Sequence, residues 1–377
     1  MTVLAHSPFA IKNTCVLRLF FKDNIRAITD LSNEEIYNME KIIVVVSGLL
    51  QYIEDKVVQS LTDIIKNNRP LYVIYDFSQE HTLQERDLNE IDSFFKNIGL
   101  DVDNRLLILN NKGLHDTASI KKKNTLTYDW LALDGLYWLK NAPEKFTSLE
   151  LKKRPNLCNL IVSKLKTKSS RVYLIYEFWK RDLLKSCIFS TMGTIEEIRA
   201  VINDKNFLDE MEQRVTNIGG ELAEFEEGRS NLEFACETSN RTIFNNSRLS
   251  CVHETAFFDF TGERRWKGHS QLTEKFYRCI LNRTPFVVFG SPNTYQQIKN
   301  MGFDTFESIF DLDFDSTYNG LEKIDQYCEQ VTKFLNTNPE KLDQLQEICE
   351  YNFQRFMNTA VQENKMYQER ITKFLND

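Results

Sequence analysis

The chain is poor in residues that punctuate a backbone, with 7 prolines and 13 glycines among 377 residues. That excludes collagen-like and Gly/Pro-rich low-complexity architectures, and the 42% hydrophobic and 12% aromatic content points to packed cores rather than disorder. Histidine is scarce, at 5 residues, and the 8 cysteines include no C-x-x-C pair and no close Cys/His cluster. Zinc sites of finger or ribbon spacing are thereby excluded. No apolar run approaches membrane-spanning length, and MTVLAHSPFAIKN lacks the charged n-region and long apolar h-region of a secretory leader. Membrane insertion and secretion are not expected, and the location read from the sequence is cytoplasmic. Cys15, Cys158, Cys187, Cys236, Cys251, Cys279, Cys328 and Cys349 then read as reduced thiols packed as small apolar groups. A net charge of −7 argues against the broad basic face of a nucleic-acid binder. Local basic clusters stand at Lys121-Lys122-Lys123, Lys152-Lys153-Arg154 and Lys164 to Lys168. They read as solvated loops, the third being the one suited to face a phosphate.

What the chain does have is alternation. Ile42-Ile43-Val44-Val45-Val46 is a continuous apolar run, as expected of a parallel strand buried on both faces. A helical pattern over Tyr52–Asn67 follows, then a strand at Leu71–Tyr75, a helix over Leu88–Ile98 stopped by Gly99, and a strand at Leu106–Leu109. After Pro155 the pattern restarts with a strand at Leu157–Val162, a helix from Arg171 to Lys185, and a helix whose capping box is Thr194 with Glu197. From Gly320 the tail reads as helical, with Leu321, Ile324, Cys328, Val331 and Leu335 on one stripe and Pro339 opening a second helix. The length suits two α/β domains of Rossmann-like size rather than one core. The expected divisions are 1–150, 151–319 and a helical tail 320–377, open between a simple packing helix, a dimer contact and a helix that returns to brace the first domain.

The densest signal lies between Ser250 and Gly290. A strand carrying Glu254 leads through a polar loop to a helix opening on Thr273-Glu274-Lys275, and then to the strand Phe286–Phe289 and Gly290. A carboxylate beside an ammonium in a first helical turn suits a sugar nucleotide. Glu274 would accept from two ribose hydroxyls, while Lys275 and the amides at the helix start would face the pyrophosphate. Glu254, the Thr273-Glu274-Lys275 triplet, the Thr284–Gly290 run and Gly302-Phe303-Asp304-Thr305-Phe306 together resemble the donor-binding region of α1,3-fucosyltransferase-like enzymes. They are still more similar to glycosyltransferase-like proteins of large phages. The resemblance is dense over roughly a sixth of the chain and thin elsewhere; its weight comes from the ordered set rather than from the triplet alone.

This resemblance implies a GT-B-like α/β fold, two Rossmann-like domains facing a cleft with C-terminal helices, and transfer of a sugar from a nucleoside-diphosphate sugar to a hydroxyl acceptor. It assigns donor contacts to Arg171, Glu254, Thr273, Glu274 and Lys275, with Glu254 on the sugar or on its local loop. An inverting reaction also needs a base on the acceptor side, for which Asp76 and Glu80, just after the second strand, are the candidates. Neither a cofactor nor a metal is expected. Asp311-x-Asp313-x-Asp315 has the spacing of a metal-binding Asp-x-Asp, but reads as an ordinary acidic loop because Lys275 and Arg171 supply positive charge. The acceptor is a glycan or, in a viral setting within the host cytoplasm, a hydroxylated DNA base. The residues after Glu254 are Thr255-Ala256-Phe257 rather than the family's usual amide, which leaves the transferred sugar open. The alternative reading is a non-catalytic nucleotide- or glycan-binding protein that retains the fold.

Overall fold

The structure, a computed structural model, describes residues 3–5, 25–28, 31–37, 39, 41–47, 53, 55–67, 71–76, 85–111, 125–128, 130–141, 143–146, 148–162, 165, 169–191, 194–217, 244, 246–254 and 272–376. It is a mixed α/β protein with two parallel sheets. The chain divides into two compact units: Met1–Tyr137 with Thr359–Asp377, and Trp138–Asn358. Among the described residues no helix is long and apolar enough to cross a membrane.

In the first unit, β1 (Val3–Ala5), β2 (Ile25–Ala27), β3 (Ile42–Ser47), β4 (Leu71–Asp76), β5 (Leu106–Asn111) and β6 (Thr125–Tyr128) form a sheet of order β2-β1-β3-β4-β5-β6. The apolar run of β3 is continuous because both of its faces are covered. Ile42, Val44 and Val46 pack with Val57, Leu61 and Ile64 of α1 (Asp55–Lys66) and with Leu88, Ile91 and Phe95 of α2 (Glu85–Asn97). On the other face Ile43 and Val45 join Leu133 of α3 (Trp130–Asn141) and three residues from the end of the chain, Tyr367, Ile371 and Leu375. The α2 helix stops where Gly99 turns left-handed at φ +91 and Leu100 N–H reaches back to the Phe95 carbonyl at 3.0 Å, a glycine-terminated helix end.

In the second unit, β7 (Cys158–Val162), β8 (Cys187–Thr191), β9 (Ser250–His253) and β10 (Phe286–Phe289) form a parallel sheet of order β10-β9-β7-β8. It is covered by α4 (Ser169–Lys180), α7 (Glu274–Leu281) and α9 (Gly320–Leu335); α5 (Ile195–Arg199), α6 (Lys205–Asn217), α8 (Thr294–Asn300) and the first part of α10 (Lys341–Asn376) complete the set. Ring contacts separate the two faces. Phe289 meets Tyr327 of α9, which also meets Phe178 of α4, whereas Phe286 meets Phe276 of α7. Thus α4 and α9 lie on one face and α7 on the other.

Several sequence expectations are corrected here. The helix expected to reach Lys185 ends at Lys180, because Asp182 turns left-handed at φ 58 and a 3-10 turn, Leu183–Ser186, feeds the edge strand β8. The strand register sets Cys158 directly beside Cys187, with Cα atoms 4.7 Å apart, and the two form a disulfide rather than the expected free thiols. Cys251, Cys279, Cys328 and Cys349 are free and buried. Arg154 is no solvated loop residue: it is 0% exposed and donates to the carbonyls of Leu149, Phe244, Ser247, Asn282 and Arg283. Leu321, placed on the inward stripe of its helix, is exposed, whereas Ile324, Cys328 and Val331 are buried. Lys121, Lys122, Lys123, Lys164, Lys166 and Lys168 lie outside the described residues.

Candidate functional site

The sheet of the second unit has a switch point. From β7 the chain crosses to β8 on one side, and from β9 it crosses to β10 on the other, while β7 and β9 are neighbours. Where successive connections of a parallel sheet diverge in this way, the carboxyl ends of the two strands border a crevice. The helix that follows β7 is α4, with Arg171 as its third residue. The helix that follows β9 is α7, on the opposite face, with Lys275 as its second residue. Arg171 is 2% exposed and Lys275 7% exposed.

The geometry around Glu254 is more closely tied than the sequence implies. Its backbone N–H bonds the Phe289 carbonyl at 2.9 Å, fixing the residue at the ends of β9 and β10. Its side chain is buried and turned toward the start of α7: Oε1 accepts from the Thr273 N–H at 2.9 Å, and Oε2 accepts from the Thr273 hydroxyl at 2.5 Å. The Thr273 oxygen in turn accepts from the Lys275 N–H at 3.4 Å and from Lys275 Nζ at 3.1 Å. Thr273 is therefore the N-cap of α7, as Thr caps are, but with its own hydroxyl proton committed to a carboxylate. Of the two roles open to Glu254, these bonds support the second, holding its local loop.

Glu274 is the first residue of α7; its side chain lies outside the described residues, as does all of Glu80. Asp76 ends β4 in the first unit and is 2% exposed. His253 points away from the Glu254 cluster, its ring 5.2 Å from that of Phe289 on the face shared by α4 and α9.

The Asp-x-Asp sequence resolves into a brace. Asp315 Oδ2 accepts from the Tyr295 N–H at 2.7 Å in the first turn of α8, and Lys323 Nζ donates to the Asp315 carbonyl at 2.9 Å while lying 3.5 Å from Oδ1. Burial raises the Asp315 carboxyl and pushes the Lys323 ammonium down to about 8. Asp311 Oδ1 accepts only a local bond among those seen, from the Asp313 N–H at 3.2 Å. Among the described residues no group of three or more His, Cys, Asp or Glu is placed to hold a metal ion. The sequence carried no signal for the Asp315–Lys323 pair, whose members meet only because a 3-10 turn, Asp313–Ser316, folds back on the start of α9.

Compared with protein-family models, with curated proteins and with solved structures, the chain matches none of them.

Proposed function

We propose that the protein is a glycosyltransferase that moves a sugar from a nucleoside-diphosphate sugar to a hydroxyl acceptor, with the donor held at the carboxyl edge of the second sheet. The observation that carries this reading is a pair of buried cations, Arg171 and Lys275, in the first turns of the two helices that diverge from the β7/β9 switch point. A guanidinium and an ammonium beside such a crevice match a diphosphate, and helix starts add the partial positive charge of their amides. As the bond between sugar and phosphate breaks, charge grows on the departing diphosphate, and preorganised cations stabilise it there. In this reading Glu274, the first residue of α7, accepts from ribose hydroxyls. On the same reading each unit is a Rossmann-like domain of a GT-B-like enzyme, and Asp76 or Glu80 supplies the base that takes the acceptor hydroxyl proton.

The test is a thermal-shift panel of nucleoside diphosphates and nucleotide sugars, with and without EDTA, on the wild type and on Arg171→Ala and Lys275→Ala. One nucleotide family should stabilise the wild type, by about 3 kcal/mol at a hundredfold excess over Kd, and should do so with EDTA present. Either substitution should abolish most of that gain. A wild type that no nucleotide stabilises would sink the proposal.

A further inference from the structure

We infer that Glu254 is a positioning residue that acts through the Thr273 hydroxyl to set where Lys275 presents its ammonium group. The inference deepens the donor-site reading and rests on it for its purpose, but its geometry stands on the three side chains themselves. Glu254 is 1% exposed, Thr273 6% and Lys275 7%, so the three side chains meet away from bulk water.

The direction of each bond follows from chemistry. A carboxylate only accepts, so the 2.5 Å contact between Glu254 Oε2 and Thr273 Oγ1 must carry the hydroxyl proton. With that proton committed, the oxygen's lone pairs are turned toward Lys275, whose N–H and Nζ both donate to it. The second carboxylate oxygen holds the Thr273 N–H, and the Glu254 backbone is pinned to the Phe289 carbonyl. The sheet edge therefore dictates, through one carboxylate and one hydroxyl, where the ammonium of α7 sits.

An amide in place of the carboxylate, as in Glu254→Gln, breaks this logic whichever way it turns. With its oxygen on the Thr273 N–H, the introduced amide would set its NH₂ against Thr273 Oγ1, in competition with Lys275. Turned over, it would set donor against donor at the Thr273 N–H. Thr273→Val keeps the shape and removes the hydroxyl, and Thr273→Ser keeps the hydroxyl.

The experiment reads Lys275 directly, by the rate at which acetic anhydride acylates it in folded protein, followed by peptide mass spectrometry. It is run on the wild type, Glu254→Gln, Thr273→Val, Thr273→Ser and the Glu254→Gln/Thr273→Val double variant, each with and without inorganic pyrophosphate. Circular dichroism selects the variants that fold. Lys275 should be slow in the wild type and in Thr273→Ser, and roughly tenfold or more faster in Thr273→Val and Glu254→Gln. The double variant should be no faster than Thr273→Val alone, because the carboxylate acts through the hydroxyl. A packing role alone would not give that rescue by serine. Unchanged acylation in Thr273→Val overturns the positioning role, whether or not pyrophosphate binds. Protection that follows the hydroxyl but never responds to pyrophosphate supports the positioning role and counts against the donor reading.

Discussion

The side chain of Lys323 has no exposed surface, and its ammonium faces Asp315 beneath the Phe314 ring. Burial lowers its pKa from 10.5 to about 8. Below that value both the folded and the unfolded chain hold the proton, and the contribution to stability is flat. Between about 8 and 10.5 the unfolded chain holds a proton that the folded chain has released, so the contribution rises with pH. Asp315 is shifted upward by burial, against the lowering effect of Lys323, and its own linkage acts in acid, where stability falls as pH rises through its range. Urea unfolding of the wild type and of Lys323→Met at pH 7.5 and 9.5 should show the difference moving about 2 kcal/mol in favour of the wild type at the higher pH. A difference independent of pH would show that Lys323 does not titrate in that window. Arg154 marks the limit of legibility at this scale. Three consecutive basic residues look alike in the sequence, yet Lys152 and Lys153 are exposed in ion pairs with Asp343 and Glu150, while Arg154 is buried. Its planar fork of donors serves carbonyls from residues 149, 244, 247, 282 and 283, which converge only in the folded chain.

Elements with a cap or a long apolar run were legible because their signals are local. The capping box of Thr194 and Glu197 forms as read, and β3, β4 and β5 lie where continuous apolar runs placed them. The strands β1, β2 and β6 are 3, 3 and 4 residues long, too short for any period to show. Likewise β8 was not read from the sequence, and the helix before it was carried to Lys185, since Leu183 and Leu184 continue the helical spacing of α4 and only the left-handed Asp182 ends it. At β10 the apolar run reveals the strand but not what protects it. Phe286–Phe289 is fully buried, although among the described residues it pairs only with β9. Side-chain hydroxyls serve its backbone instead: Val288 N–H donates to Tyr295 Oη at 2.7 Å, and Tyr327 Oη donates to the Val287 carbonyl at 3.1 Å. Tyr295→Phe removes one atom and leaves a buried N–H without its acceptor. Chemical denaturation should show a loss of about 1–3 kcal/mol, with hydrogen exchange at the Val288 amide accelerated. Wild-type exchange there would mean that another group serves the amide.

At the scale of the whole molecule, the C-terminal residues belong to the first unit although the chain enters them from the second. The α10 helix runs from Lys341 to Asn376, and the division between the units falls within it, after Asn358. Tyr367, Ile371 and Leu375, spaced by four residues, bury against Ile43, Val45, Ile74, Leu107 and Leu109, and Phe374 packs edge-on to Tyr72 at 5.8 Å. The sequence shows the helical spacing of the tail, but not the point at which its allegiance changes, because a continuous helix carries no break in period there. Glu254, Thr273 and Lys275 were legible as an ordered set of residues, whereas the bonds that tie Glu254 to Thr273 cross the 255–271 segment and depend on the ends of β9 and β10 meeting. Ending the chain at Asn358 would uncover the part of one face of the first sheet that Tyr367, Ile371 and Leu375 bury, and burial of side chains of that size is worth about 1.5–3 kcal/mol each. Limited proteolysis of such a truncated chain should therefore cut within 1–137 at protease levels that spare the full chain, while peptides from 138–358 persist. Equal resistance of the two chains would show that this face is stable without its C-terminal cover.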